Sequence, residues 1–344
     1  MSAKNSLKSE TARNYRKKYG AAMPTLKLAR MMYNDNNLLF KDVEDARGSL
    51  RYIEGKQGEK RITKSIKESE FRVLEDRSKN PYKLPDSDEA KYEPYVLKGY
   101  KKIGMLFDIH CPYHSIDALT LAIDYLKNQK VDLLILGGDF WDFHGLSRFL
   151  KDPKKRSVGK EIEAGVELLD ILAKELKCKI IYKEGNHCER LQHFIWQKWG
   201  EIVELSDLEE IKDITLSKIV KRRSPNLDIE FVSEKRIIKA NDLNIVHGHE
   251  FASSIMSPVN IARGLYLRAK ANTICGHHHR TSEHTEMNIN GKITTTWSVG
   301  CLSELHPAYM PINSWNWGFA MVTLSDDKKS FEVENKRIFN GKVF

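Results

Sequence analysis

Three consecutive histidines, His277, His278 and His279, follow the apolar stretch "ANTI" through Cys275 and Gly276. The same arrangement, an apolar run ending in residues with lone pairs, recurs elsewhere along the chain. "IGMLF" leads into Asp108 and His110, and "DLLIL" into Gly137, Gly138, Asp139 and Asp142. "KIIYKE" leads into Gly185, Asn186 and His187, and "LNIV" into His247, Gly248 and His249. A set of Asp, Asn and His without thiolate suits hard or borderline divalent ions such as Mn²⁺, Fe²⁺ or Zn²⁺. One carboxylate can bridge two such ions, and a pair about 3.5–4 Å apart can clamp both oxygens of a phosphoryl displacement.

Taken singly, each histidine reads more simply as a satisfied core or surface side chain. Together they do not, because seven of the chain's 12 histidines fall in these segments. In extended backbone, residues two apart face the same way, so Asp108 is expected to converge with His110, and His277 with His279. His278 then points away from its neighbours and takes a structural role. His249 reads either as a partner behind a metal ligand or as a phosphate contact. The intervening glycines let the chain turn sharply and approach closely.

The elements that must position these residues begin at Lys101. "KIGMLF", a helix around "SIDALTLAIDYLKNQ", "VDLLIL", a helix over "GKEIEAGVELLDILAKEL" and "CKIIYK" make a βαβαβ rhythm. That rhythm implies a parallel sheet covered by helices, which places ligands at the carboxyl ends of its strands. The last third ("IEFVSEKRIIKA", "LNIVHG", "ANTICG", "KITTTWSVG", "WGFAMVTL", "FEVENKRIF") is mostly strand and predicts a second sheet.

Upstream, residues 1–55 carry three helical patterns. "SETARNYRKKYG" opens on a Ser cap candidate, "PTLKLARMMYNDN" has Pro24 near its start, and "FKDVEDARGSLRYIEG" carries one apolar stripe. The third follows the second after the short link "NDNNLL", in the manner of a helix-turn-helix. Lys41, Arg47 and Arg51 are then expected on the polar side of a recognition helix. The alternative is a helical appendage that serves packing or self-association. Residues 56–100 read as a charged linker with one helix around "ITKSIKESEFRVLEDR".

The net charge of +9 belongs mainly to the first thirty residues, where eight basic side chains face Glu10 alone. A local positive cluster fits a polyanion better than it fits general solubility. No run approaches the ~18 apolar residues of a membrane span, and the N-terminus lacks the apolar core of a secretory signal. The cysteines, 5 in number and without CxxC spacing, read as reduced thiols used as small apolar fillers.

The ordered set D-x-H, GD-x-x-D, GNH, H-G, GH-x-H resembles the calcineurin-like metallophosphoesterases over residues 101–344. The resemblance implies an α/β fold, a four-layer α/β/β/α sandwich, here with a small N-terminal all-α appendage. It implies two divalent ions, manganese first, with iron, zinc or nickel as alternatives. Asp108, His110, Asp139 and His279 would hold one ion, and Asp139, Asn186, His247 and His277 the other. His187 would protonate the leaving oxygen or steady the transition state, and Asp142 would orient a ligand. The family usually places an acidic residue after GNH, where this chain has Cys188 and then Glu189. The hydrogen bond to His187 is therefore expected from elsewhere. Arg190 either holds a substrate phosphate or is tied to a carboxylate.

The "HGHE" segment and the tail "SVGCLSELHPAYM...NWGFAMV" look like stand-alone enzymes often carried by bacteriophages and bacteria. More distantly they resemble exonuclease subunits that process DNA ends. Trp315, Trp317 and Tyr309 are candidates to stack on a nucleobase, against the commoner role of core packing. The implied enzyme is cytoplasmic, in the host cytoplasm where a phage encodes it. Its implied partner is a phosphoester substrate, with DNA taken up through the basic helices. A small-molecule or cyclic-nucleotide phosphoesterase is the alternative, and a scaffold with a structural metal site a third reading.

Overall fold

The computed structural model describes residues 3–56, 82–86, 92–147, 157–202, 214–233, 235–251, 259–307, 309–327 and 329–344. The helix expected around "ITKSIKESEFRVLEDR" lies outside them. Two compact units divide the chain, Met1–Ala90 and Lys91–Phe344.

The first unit is a trio of helices, α1 (Ala3–Tyr19), α2 (Thr25–Asp35) and α3 (Val43–Ile53). Helix α1 starts before Ser9, which lies inside it rather than at its cap, because nothing in "AKNSLK" interrupts a helix. Gly20 follows its last turn at φ 74°, a conformation that suits glycine. Asp42 caps α3 by accepting the Asp45 amide at 2.8 Å, so Lys41 precedes the helix and does not lie on its polar side. The link between α2 and α3 spans residues 36–42. Leu28, Met32, Phe40, Ala46, Leu50 and Ile53 close a small core. Arg16 sits inside this unit, bonded to Glu54, to the carbonyls of Gly20 and Met23 and to Thr25. Lys8 reaches Asp45 at 2.5 Å.

The second unit contains β1 (Tyr95–Val96), β2 (Lys102–Leu106), α4 (Ile116–Gln129), β3 (Leu133–Leu136), α5 (Val158–Leu176) and β4 (Lys179–Lys183). There follow α6 (Glu189–Ile202), α7 (Leu216–Arg223), β5 (Ile229–Val232), β6 (Ile238–Ala240), β7 (Leu243–Ile245) and α8 (Ile261–Ala269). The chain closes with β8 (Thr273–Cys275), β9 (Ser282–Met287), β10 (Ile293–Ser298), β11 (Trp317–Leu324), β12 (Phe331–Phe339) and β13 (Lys342–Val343).

One sheet of seven strands has the order β13-β12-β11-β2-β3-β4-β5, and one of six has β1-β6-β7-β8-β10-β9. Strands β2 to β5 are parallel. The last three strands do not extend the second sheet, because β11 pairs antiparallel with β2 and carries β12 and β13 with it. "IEFVSEKRIIKA" likewise divides, β5 going to the first sheet and β6 to the second.

Alternation along the strands builds two cores. Ile103, Met105, Phe107, Ile135 and Ile181 face Ile245, Ile274 and Val299 between the sheets. Leu106, Leu134, Leu136, Ile180 and Tyr182 face outward onto α4, α5 and α7. Helix α8 covers the second sheet through Ile261 and Leu265, which pack on Val246 and Cys275. The layers are therefore α/β/β/α. Among the described residues no helix is long and apolar enough to cross a membrane.

Candidate active site and metal centre

The ends of β2, β3, β4, β7 and β8 bring the polar residues together. Asp108, His110 and His279 form one group, and Asp139, His247 and His277 another, each with ligand atoms within 4.8 Å of one another. His110 Nε2 and His279 Nε2 stand 3.2 Å apart and lie 3.8 and 3.3 Å from Asp108 Oδ1. In the second group His247 Nε2 lies 3.1 Å from Asp139 Oδ2 and 3.2 Å from Asn186 Oδ1. It is also 4.0 Å from Asp108 Oδ1, so the groups adjoin.

The convergence does not come from extended backbone. Asp108, His110, Asp139, His277 and His279 have φ of 52°, 51°, 49°, 68° and 56°. Left-handed residues other than glycine cost on the order of 1–3 kcal/mol each and persist where surrounding structure enforces them. Asp108 and His110 meet in one group, whereas His277 and His279 part to different groups. Gly185 is needed for contact: a Cβ there would lie 2.3 Å from Asp139 Oδ1.

Asp142 stands behind the first group. Its Oδ1 accepts from His110 Nδ1 at 2.9 Å and from His187 Nδ1 at 2.8 Å. A carboxylate only accepts, so in its neutral form each ring carries the proton on Nδ1 and keeps a lone pair on Nε2. Although His110, Asp142 and His187 also cluster, these Nδ1 bonds make Asp142 an orienting partner, as carboxylates behind ligating histidines commonly are. The acidic partner that His187 would usually find in the residue after GNH is thus Asp142, which accepts from its Nδ1. Arg190 donates to the Asp142 carbonyl at 2.8 Å and to His187 Nε2 at 2.9 Å. Its guanidinium is tied to a backbone oxygen and an imidazole, and lies 4.0 Å from the Asp142 carboxylate.

The displaced Glu189 meets His249 instead, Oε1 to Nε2 at 3.1 Å. The ring of His278 packs on that of His277 at 5.0 Å. Trp317 belongs to the core edge, its Nε1 donating to the Ser303 carbonyl at 2.8 Å. The Trp315 ring lies 4.2 Å from that of His279, and the exposed Tyr309 packs 6.4 Å from Trp315.

The electrostatics are those of a cation site. Burial raises the cost of charge on Asp108 and Asp139, yet the facing imidazoles hold both well below the usual carboxylate range. Burial pulls His110, His247 and His279 down, and the carboxylates outweigh it, pushing His110 up to about 10 and the other two to about 9. His277 goes to about 3 through burial and the neighbouring His247. Protons and divalent cations compete for these lone pairs. Asp108 Oδ1 is buried without a hydrogen bond of good geometry among the described residues. An orphaned carboxylate oxygen ringed by imidazole Nε2 atoms, with no thiolate among them, fits a hard or borderline divalent ion.

Sequence reasoning missed three buried charges around this centre: Lys183, Glu250 and Glu161. The signal for the first was a lysine ending the apolar run "KIIYK".

A two-sheet sandwich with Asp, Asn and His gathered at its strand ends is compatible with a metal-dependent hydrolase. The sequence model for the family "Calcineurin-like phosphoesterase" matches residues 102–281, more than half of the chain, and the chain belongs to that family. It is a phosphoester hydrolase of the kind that works through a dinuclear divalent metal centre. None of the curated proteins compared matches it. Among solved structures it is similar to a single mutant of Vps29 from Entamoeba histolytica, at 14% identity and a TM-score of 0.36, over 71% of this chain and 96% of that one. It is also similar to Vacuolar Protein Sorting 29 from Cryptosporidium parvum, at 12% identity and a TM-score of 0.37, over 72% and 96%.

Proposed function

We propose that the chain is a two-metal phosphodiesterase acting on nucleic acid, with residues 1–55 as its DNA-binding segment. Asp108, His110, Asp139 and His279 hold one ion, and Asp139, Asn186, His247 and His277 the other, manganese before iron, zinc or nickel. When bound, the pair supplies Lewis acidity and an acidified water.

The chain's own residues then divide the work. Asp142 keeps the His110 and His187 rings in one tautomer, each with Nε2 turned to the reaction. Arg190 occupies His187 Nε2 until a phosphate oxygen takes its guanidinium, whose planar fork suits phosphate. The released Nε2 takes up a proton from water, and the imidazolium so formed gives that proton to the leaving oxygen, help that typically contributes ~10²–10⁴-fold. Tyr309 and Trp315, beside His279, offer flat apolar surface to a base next to the cleaved phosphate.

The observation that carries the nucleic-acid reading is the positive charge of the helical unit. Lys8 and Arg16 are engaged inside it, but Arg13, Lys17, Lys18, Lys27 and Arg30 are exposed. The test is a Mn²⁺-supplemented screen of bis-p-nitrophenyl phosphate, mononucleotides, and linear and circular DNA. Cleavage of DNA by the full chain supports the reading. Turnover of small phosphoesters with DNA left intact gives the site to a small-molecule phosphoesterase.

A further inference from the structure

The residues assigned to the second ion hang on loops from different sheets. Asn186 follows β4 in the seven-stranded sheet, and His247 follows β7 in the six-stranded one. Two polar contacts cross between these loops. Lys183, the last residue of β4, is fully buried, with Nζ 2.8 Å from Glu250 Oε1 and donating to the Arg236 carbonyl at 2.7 Å. Glu250 in turn accepts the His247 amide at 2.8 Å and the Gly248 amide at 2.6 Å. Further out, Glu189 meets His249 at 3.1 Å, with Lys235 3.7 Å behind it.

A buried ion pair is weak as a source of stability, since apolar residues of similar volume do as well or better. Its effect here is on position. Both carboxylate oxygens of Glu250 grip the backbone at His247 and Gly248, where Gly248 takes φ 124°. The ammonium that neutralises Glu250 is anchored three residues before Asn186. The distance from His247 Nε2 to Asn186 Oδ1, 3.2 Å, is thereby fixed across the sandwich. Asp108, His110 and His279 come from the ends of β2 and β8, outside this brace.

We propose that Lys183 and Glu250, with Glu189 and His249 as an outer clasp, are positioning residues for the second cation site, so that losing the pair weakens one of the two sites selectively. The proposal rests on the two-ion reading given above. It is tested by calorimetric titration of Mn²⁺ into the metal-stripped full chain, with bound metal counted by elemental analysis and Tm recorded alongside. Wild type should take two ions. Glu250→Gln should keep the first affinity and lose about 10–100-fold in the second, the usual effect of removing an outer partner. Lys183→Met with Glu250→Gln removes both buried charges, so its Tm should return towards wild type while the second affinity stays low.

Equal weakening at both sites, no weakening, or recovery of the second affinity together with Tm in the double variant would overturn the proposal while leaving two ions in place. Fewer than two ions in wild type would end the two-ion reading, and this proposal with it.

Discussion

Asp142 places one carboxylate oxygen against two imidazoles, so a single residue sets the tautomer of His110, proposed as a metal ligand, and of His187, proposed as the proton donor. Asp142→Asn keeps an acceptor there but removes the charge. It should lower both metal affinity and turnover by about 10–100-fold. His187→Ala, by contrast, should keep its metal by elemental analysis and lose ~10²–10⁴ in kcat; a metal-free variant would count against its assigned role. Glu161 on α5 is a different case. Burial, with Asp142 nearby, pushes its carboxyl up to about 7, against a backbone hydrogen bond from Phe143, and its Oε2 has no partner among the described residues. The folded state therefore holds this proton more tightly than the unfolded chain does. The stabilisation is fully present below the ordinary glutamate value of 4.5 and is lost as pH rises through about 7. Glu161→Gln mimics the protonated form. In urea unfolding at pH 8 it should exceed wild type by up to ~3 kcal/mol, with the gap closing near pH 4.5. A gap independent of pH would show that packing, not ionisation, separates the two.

At the scale of elements, the centre depends on how closely α5 approaches the β3 loop. Trp141 is fully buried, donates to the Glu161 carbonyl at 3.0 Å, and lies over Gly165, where a Cβ would come 1.8 Å from Nε1. Gly165→Ala should push this ring, and Asp142 after it, out of place. The expected cost is about 1–3 kcal/mol in denaturant unfolding, with weaker metal binding alongside; unchanged stability would show that α5 can shift freely. Which strand ends carry the Asp, Asn and His residues that meet was legible in the sequence, because an apolar run ending in such residues needs no tertiary information. The left-handed turns at Asp108, His110, His277 and His279 were not, since side-chain type does not reveal that neighbours will force such a backbone. Nor was the pairing of β11 with β2, a contact between segments more than two hundred residues apart that local periodicity does not encode. Glu250 was hidden for the same reason: it reads as an ordinary charged residue until the sheets stack and bring Lys183 against it.

On the scale of the whole molecule, the open matter is what a phosphoester-cleaving centre gains from a basic helical unit on the same chain. Arg13 and Lys17 are four apart on α1, and Lys27 and Arg30 three apart on α2, so each pair shares a side of its helix. If these four and Lys18 each neutralise one phosphate, log K should fall with log salt at a slope of about −4.5 on duplex DNA. Affinity would then drop roughly 500-fold between 50 and 200 mM salt. Replacing Arg13, Lys17 and Lys18 with glutamine should reduce the slope to about −1.8, measured by fluorescence anisotropy with a labelled duplex. Hydrolysis of a small diester such as bis-p-nitrophenyl phosphate should be unaffected by the same triple change, because none of the three belongs to the centre. A slope unchanged by the triple variant would assign the helical unit to packing or self-association, and DNA cleavage, if present, would then have to recruit its substrate through the hydrolase unit itself.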